Sequence, residues 1–115
     1  MELNHQEINF ESITPKFFRI LKQFAPFGPQ NLSPVFMTSK VNDTGYGKCV
    51  GEDQTHLRLT LTQNRSTKIV AIGFGLAARL PIVKSKKNFK AVYSIDENQW
   101  NGRVNLQLKL KDLKL

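Results

Sequence analysis

The sequence is poor in the residues that build disulfides and metal sites. Among its 115 residues there is one cysteine, Cys49, and there are two histidines, His5 and His56, far apart in the chain. A single cysteine cannot form an intrachain disulfide, and a metal site needs several Cys, His, Asp or Glu side chains at ligand spacing. We therefore expect no metal site and no disulfide framework, and a reducing, cytoplasmic setting.

Long apolar runs are also absent. The longest candidate covers residues 69–83 and is interrupted by two glycines, an arginine and a proline. A membrane-spanning helix needs about 18 consecutive apolar residues, so no membrane span is predicted. The first eleven residues contain three glutamates where a secretory signal peptide would be basic, so secretion is not expected either.

Motifs for catalysis are missing from the sequence. It has no glycine-rich loop that leads into a helix with a lysine, and no nucleophile elbow. Cys49 has no evident activating base beside it in the sequence. Asp96 and Glu97 are adjacent and would lie on opposite faces of a strand end, which favours a solvated turn over an acid–base pair. We predict no catalytic residues.

Acidic side chains are scarce in the second half of the chain. Residues 56–115 contain twelve Lys and Arg but three Asp and Glu, a net charge of +9, whereas residues 1–55 contain five and six, a net charge of −1. An excess confined to one half suggests a polyanionic partner for that half. A basic surface that merely keeps the domain soluble is the alternative.

The first third of the chain is predicted to form a short strand, a helix and a rigid connection. Ile8 and Phe10 alternate with polar neighbours, which predicts a strand over 7–11. Thr14 before Pro15 is typical of a helix start, and the apolar spacing that follows predicts a helix over 15–24. Three prolines and a glycine over residues 26–34 predict a rigid connection.

After Pro34 the pattern changes to a period of two. Strands are predicted at 35–41, 56–62, 68–74, 89–95 and 104–111, with a long loop over 43–54 and a helical or irregular insert over 75–80. Leu57, Leu59 and Leu61 alternate with polar residues and predict a core-facing strand face. The layout predicts a mainly β protein: a small five-stranded Greek-key barrel of the OB type, preceded by a short strand and helix. An SH3-like barrel or an open sandwich fits nearly as well.

The positively charged and aromatic residues suit a single nucleic-acid strand. Such binding needs cations that follow the phosphates and flat side chains on which bases stack. Four lysines are clustered before the fourth strand, and other candidates lie on polar strand faces or in turns. The predicted nucleic-acid-binding residues are Tyr46, Arg58, Lys84, Lys86, Lys87, Lys90, Arg103 and Lys109. For the lysines, a solvated loop is the alternative interpretation.

Several short motifs together resemble a known family. They are Pro26-Phe27-Gly28-x-x-Asn31-x-x-Pro34-x-Phe36, His56-Leu57-x-Leu59, Ala71-Ile72-Gly73-Phe74 and Asn98-x-Trp100-x-Gly102-x-x-x-Leu106-Gln107-Leu108-x-x-x-Asp112. Their order and spacing resemble the C-terminal part of the RecJ single-strand-specific 5′→3′ exonucleases. Leu32 departs from the proline that the family has there.

The resemblance implies more than the residue patterns do. It implies that residues 1–34 are a remnant of the second catalytic lobe with its Pro/Gly connection, and that residues 35–115 are an OB-fold that holds single-stranded DNA. The parent enzyme would use Mn²⁺ or Mg²⁺ in DNA repair and recombination. The Asp-His-His metal cluster of the family has no counterpart in this sequence, so we expect an inactive fragment without a cofactor of its own.

The expected partner is single-stranded DNA, with a single-strand-binding protein or other repair proteins as further partners, and the expected state is a monomer. Two other functions remain open. One is a module that docks a partner peptide on a sheet edge. The other is an RNA-binding OB domain, which would prefer RNA through the 2′-hydroxyl.

Overall fold

The computed structural model describes residues 6–23, 34–64 and 67–115, with the Trp100 side chain left out. Its strands are β1 (Gln6–Glu7), β2 (Phe36–Asp43), β3 (Lys48–Val50), β4 (His56–Gln63), β5 (Thr67–Gly73), β6 (Phe89–Trp100) and β7 (Arg103–Lys114). Two α-helices, α1 (Pro15–Lys22) and α2 (Leu80–Lys84), and two 3₁₀ turns (Phe10–Ser12 and Ala77–Arg79) accompany them. The prediction of a mainly β protein is confirmed.

Within the described part of the chain, the strands form one seven-stranded sheet in the order β1-β2-β6-β7-β5-β4-β3. The pairs β1–β2 and β5–β7 are parallel, and the other neighbours are antiparallel. Three residues at the end of β2, Val41 to Asp43, also pair with β4, so the sheet bends back on itself. The predicted five-stranded barrel is therefore corrected to a seven-stranded sheet. β1 and β3 have two and three residues, too few for a period-two pattern to reveal them.

The core lies where the alternating positions predict it. Leu57, Leu59 and Leu61 have no exposed surface, and the residues between Leu57 and Leu61 on the other face, Arg58 and Thr60, are exposed or half-buried. On β6 the alternating residues from Phe89 to Ile95 are buried as well, but Val92 and Ser94 between them are also buried, so this strand is covered on both faces there. Thr62 lies on the polar face of β4 but is only 9% exposed, because β2 pairs with β4 at this position.

The leading segment packs into the same core. Phe10 is fully buried, and its ring meets the Tyr93 ring edge-on with 6.2 Å between the ring centroids. The ring centroids of Phe17 and Phe36 are 5.9 Å apart. The predicted helix is confirmed as α1, which begins at Pro15 after a side-chain cap: the Phe17 amide donates to Thr14 Oγ1 at 3.1 Å.

The predicted strand over 7–11 is wrong beyond Glu7. The Ser12 amide donates to the Asn9 carbonyl, and the Ile13 amide donates to the Phe10 carbonyl. The chain therefore forms a 3₁₀ helix here. That turn aims Phe10 into the core. The predicted connection over residues 26–34 lies outside the described residues, apart from Pro34, and His5 lies outside them too.

Buried polar side chains tie the leading segment to the sheet. The Gln63 side chain accepts from the Phe10 amide at 2.8 Å and donates to Asn9 Oδ1 and to the Ser39 carbonyl. Thr38 donates to the carbonyl of Ile8 at 2.8 Å, so its hydroxyl accepts from Tyr93 at 2.7 Å. Burial raises the pKa of Tyr93 to about 12, against a smaller lowering from the Thr38 bond.

Two further corrections concern loops. The predicted loop over 43–54 contains β3, which pairs with the start of β4. The predicted strands at 89–95 and 104–111 are longer than expected, because β6 continues to Trp100 and β7 begins at Arg103, so only Asn101 and Gly102 connect them. Asn101 and Gly102 have φ angles of 51° and 74°, the left-handed backbone that a two-residue hairpin turn with the right twist requires.

Candidate nucleic-acid interface

One face of β4, β5 and β7 is turned away from the core, and we call it the outer face. On β4, Arg58 lies between two buried leucines and is exposed. On β7, Gln107 and Lys109 flank the fully buried Leu108. The side chains of the outer face are Arg58, Thr60, Val70, Ile72, Arg103, Asn105, Gln107 and Lys109, and Lys48 on β3 joins them because it pairs with Arg58.

Cationic residues of different strands meet in one row across the outer face. Arg58 pairs with Lys48 on one side and with Ile72 on the other, and Ile72 pairs in turn with Lys109. Neighbouring strands are about 4.8 Å apart, so Lys48 and Lys109 are separated by about 14 Å. The row therefore places three cations beside an aliphatic side chain, within the span of a few nucleotides.

Arg103 extends this positive strip along β7. It is the first residue of that strand and shares the alternation of Asn105, Gln107 and Lys109. At about 3.3 Å per residue, Arg103 and Lys109 lie about 20 Å apart on one face. Arg58, Arg103 and Lys109, which were predicted separately, are thus brought to one surface.

A shallow depression of about 550 Å³ lies in the outer face. Asn98 and Asn105 pair across β6 and β7, and Gln107 pairs with Val70. The lining residues are Arg58, Val70, Ile72, Asn98, Asn105, Leu106 and Gln107. Apolar and amide groups therefore line the same depression, with a guanidinium among them.

Exposed aromatic side chains lie on both sides of the row: Phe74 is at the His56 end of β4, and Tyr46 lies beyond Lys48 in the opposite direction, towards Thr60. Phe74 directly follows β5 and is 63% exposed, and the His56 ring packs edge-on against it at 5.4 Å. His56 Nδ1 accepts from the Gly75 amide at 2.8 Å, which orients the imidazole. Tyr46, which was predicted as a binding residue, is 80% exposed in the loop between β2 and β3, two residues before Lys48.

Phe74 is a candidate that the sequence analysis missed. It stands at the end of an apolar stretch that predicts a buried strand, but the strand ends one residue earlier. Its neighbours Gly73 and Gly75 were the available signal, since an aromatic residue between two glycines often marks a turn rather than a strand interior.

The four predicted lysines form a second basic surface, which we call the lysine cluster. It consists of Lys84, Lys86, Lys87 and Lys90, all exposed. The cluster lies at the end of α2 and the start of β6, where Lys90 pairs with Lys114. Lys114 lies five residues beyond Lys109, about 16 Å along β7. The lysine cluster is therefore apart from the outer-face row.

Two of the three acidic residues of the second half are held in ion pairs. Glu97 accepts from Lys22 at 3.1 Å and Asp112 accepts from Arg79 at 2.9 Å. Partial burial raises the pKa of Asp112, but the bonds from Arg79 and the Leu113 amide outweigh it, and the pKa is lowered. Asp96 and Glu97 lie within β6, so their interpretation as a turn is wrong.

Within residues 6–23, 34–64 and 67–115, no three His, Cys, Asp or Glu side chains come together as metal ligands. Over the same ranges, no helix is long and apolar enough to cross a membrane.

Comparisons with known proteins agree with one another. The family described as RecJ OB domain matches residues 5–112. The single-stranded-DNA-specific exonuclease RecJ of Bacillus subtilis is 26% identical over 102 residues, which cover 89% of this chain and 13% of that protein. The chain thus spans about an eighth of this relative.

Crystal structures of RecJ from Thermus thermophilus share the fold. The complex with Mn²⁺ matches with a TM-score of 0.58 at 20% identity, over 88% of this chain and 14% of that one. The complex with Mg²⁺ matches with a TM-score of 0.56 at 21% identity, over the same shares of the two chains.

Proposed function

Because the chain belongs to the RecJ OB domain family, we propose that it is a non-catalytic module that binds single-stranded DNA. The parent would be a RecJ-type exonuclease, and the binding surface would be the outer face. The observation that carries the proposal is the row of Lys48, Arg58 and Lys109 beside Ile72.

The chemistry of the outer face supports this proposal. Binding of a single strand without sequence preference combines a positive track for phosphates with flat side chains for stacking. The row and Arg103 supply the cations, and Phe74 and Tyr46 supply one exposed ring on each side of the row. The strand faces and loops of OB-folds are also where oligonucleotides bind.

The wider assignment is part of the same proposal. Residues 1–34 would belong to the preceding catalytic lobe and its connection, and residues 35–115 to the OB domain. Mn²⁺ or Mg²⁺ would bind in the parent enzyme, which would act in cytoplasmic DNA repair and recombination, with a single-strand-binding protein or other repair proteins as partners. The named relative supports the substrate, since it is a single-stranded-DNA-specific exonuclease.

The lysine cluster is the second candidate surface for the same strand. Lys90 and Lys114 stand directly opposite each other on β6 and β7, and like charges in that position destabilise a sheet. A bound polyanion would offset this repulsion. Docking of an acidic peptide and RNA binding stay as alternative functions of these basic surfaces.

Charge reversals separate the two surfaces. Fluorescence anisotropy of a labelled oligonucleotide should show weak, strongly salt-dependent binding by the unaltered chain. With about three phosphate contacts, the slope of log K against log salt should be near −2. The paired changes Arg58→Glu and Lys109→Glu should abolish most binding, whereas Lys86→Glu with Lys87→Glu is the matched control of equal charge change.

Loss of binding in the control with retention in the outer-face variant would move the site to the lysine cluster. If both variants bind the oligonucleotide with the affinity and the salt slope of the unaltered chain, DNA binding at either surface is contradicted. Tighter binding of an RNA oligonucleotide than of DNA would favour the RNA-binding alternative.

A further inference from the structure

Three amide side chains line the depression in the outer face. Asn98, Asn105 and Gln107 take part in no side-chain hydrogen bond among the described residues, although Asn98 and Asn105 are cross-strand partners. They stand over two half-buried aliphatic residues, Val70 and Ile72. A surface that bound only phosphates would carry cations at these positions. The amides therefore indicate that this part of the surface binds a group other than phosphate.

An unpaired nucleobase matches this lining. Each amide has donors and an acceptor, and the Watson–Crick edge of every base also carries both kinds of group. The apolar side chains fit the flat faces and carbon edges of a base, and the volume of about 550 Å³ lies within the range of small-ligand sites. Arg58 in the same lining can accompany the base by binding its phosphate.

Pairing of the bases would remove this ligand. In a duplex the Watson–Crick edges are bonded to the opposite strand, and its grooves offer other patterns. In a single strand the edges are free. Three rotatable amides accept any of the four edges, so they tell paired from unpaired bases without reading a sequence.

We infer that the depression receives the Watson–Crick edge of one unpaired nucleobase and thereby selects single strands over duplexes. This inference rests on the proposed function, because it assigns a role within the same surface. Arg58 and Lys109 then provide affinity for the phosphates of either form, and Asn98, Asn105 and Gln107 provide the preference.

The test compares three labelled probes by fluorescence anisotropy: an oligothymidylate, an abasic oligonucleotide of equal length and a blunt-ended duplex without unpaired bases. The unaltered chain should bind the oligothymidylate more tightly than the abasic strand. Asn105→Ala should weaken binding of the oligothymidylate about three- to tenfold, the worth of about one hydrogen bond. It should leave the abasic and duplex affinities unchanged, because the phosphate contacts remain.

Gln6→Ala is the matched control, because Gln6 is an exposed strand amide on β1, outside both the depression and the lysine cluster. If Asn105→Ala disturbs the strand, Asn105→Val keeps a good strand former without hydrogen-bonding groups. Equal affinity of the unaltered chain for thymidylate and abasic strands overturns the inference and leaves the proposed function standing. Absence of binding to every single strand overturns the proposed function itself.

Discussion

Gly47 and Leu59 should be strongly coupled in stability, because a side chain at one competes with the other. Leu59 is fully buried, and Leu59→Ala should lower the free energy of unfolding by about 2–5 kcal/mol. A Cβ atom at Gly47 would lie 2.6 Å from Leu59 Cδ2, 2.9 Å from Asp43 Oδ1 and 3.1 Å from Val83 Cγ1. Gly47→Ala should therefore cost about 1–3 kcal/mol through overpacking.

The double variant should cost less than the sum of the two single changes. The new methyl group enters space that the shortened residue 59 vacates, so a coupling of about 1 kcal/mol or more is expected. The contacts to Asp43 and Val83 remain and keep the coupling below the full cost of Gly47→Ala. Urea unfolding followed by circular dichroism gives the four free energies of the cycle.

A second cycle controls for general weakening of the core. Leu108 is also fully buried, but it is not among the atoms nearest to Gly47. Leu108→Ala combined with Gly47→Ala should be closer to additive. The reasoning is refuted if Leu59→Ala costs under about 0.5 kcal/mol, or if both cycles are additive within about 0.5 kcal/mol.

Three further outcomes are expected. Between pH 10 and 12 the chain should lose about 2–3 kcal/mol of stability, because burial raises the pKa of Tyr93 from 10.0 to about 12 and the unfolded chain releases that proton first. Urea unfolding of Tyr93→Phe should not show this loss. An identical loss in the variant would mean that another group causes it. Gln63→Ala should lower stability by about 2–4 kcal/mol, since it leaves the buried Phe10 amide unbonded; a thermal-unfolding midpoint unchanged by the substitution would contradict this. The purified chain should not degrade a labelled single strand with Mn²⁺ or Mg²⁺, and degradation that a substitution within the chain abolishes would show that it is a nuclease.

Local patterns predict the parts of the fold that depend on one buried face. β4 alternates almost without fault because Leu57, Leu59 and Leu61 face the core, and α1 begins where its cap and proline indicate. β3 and the 3₁₀ turn at Phe10 were not predictable in this way. β3 exists by pairing with β4, and the turn is stabilised by Gln63, which is 53 residues away in sequence.

The candidate site depends on pairings that no local pattern encodes. Arg58 and Lys109 each lie on a polar strand face that the sequence predicts. They lie in one row only because β5 pairs with β4 on one side and with β7 on the other. The four lysines from Lys84 to Lys90 are close in sequence, so the sequence indicates them as a binding cluster more directly than it indicates Arg58 and Lys109. The structure places the four lysines at the other end of β7, away from the outer face.

The place of β7 has a consequence for how the chain folds. It is the last strand in sequence order, yet it lies in the middle of the sheet, between β6 and β5. Its partner Val70 precedes Gln107 by 37 residues, so this pairing closes a long loop, and such closures slow folding. During synthesis, β4 and β5 can pair as a hairpin, and β2 can link β4 to β6, but the edges of β5 and β6 that pair with β7 stay open until residues 103–114 have left the ribosome. The nascent chain therefore exposes strand edges until residues 103–114 emerge, and a chain cut after residue 102 should aggregate rather than form a smaller folded domain.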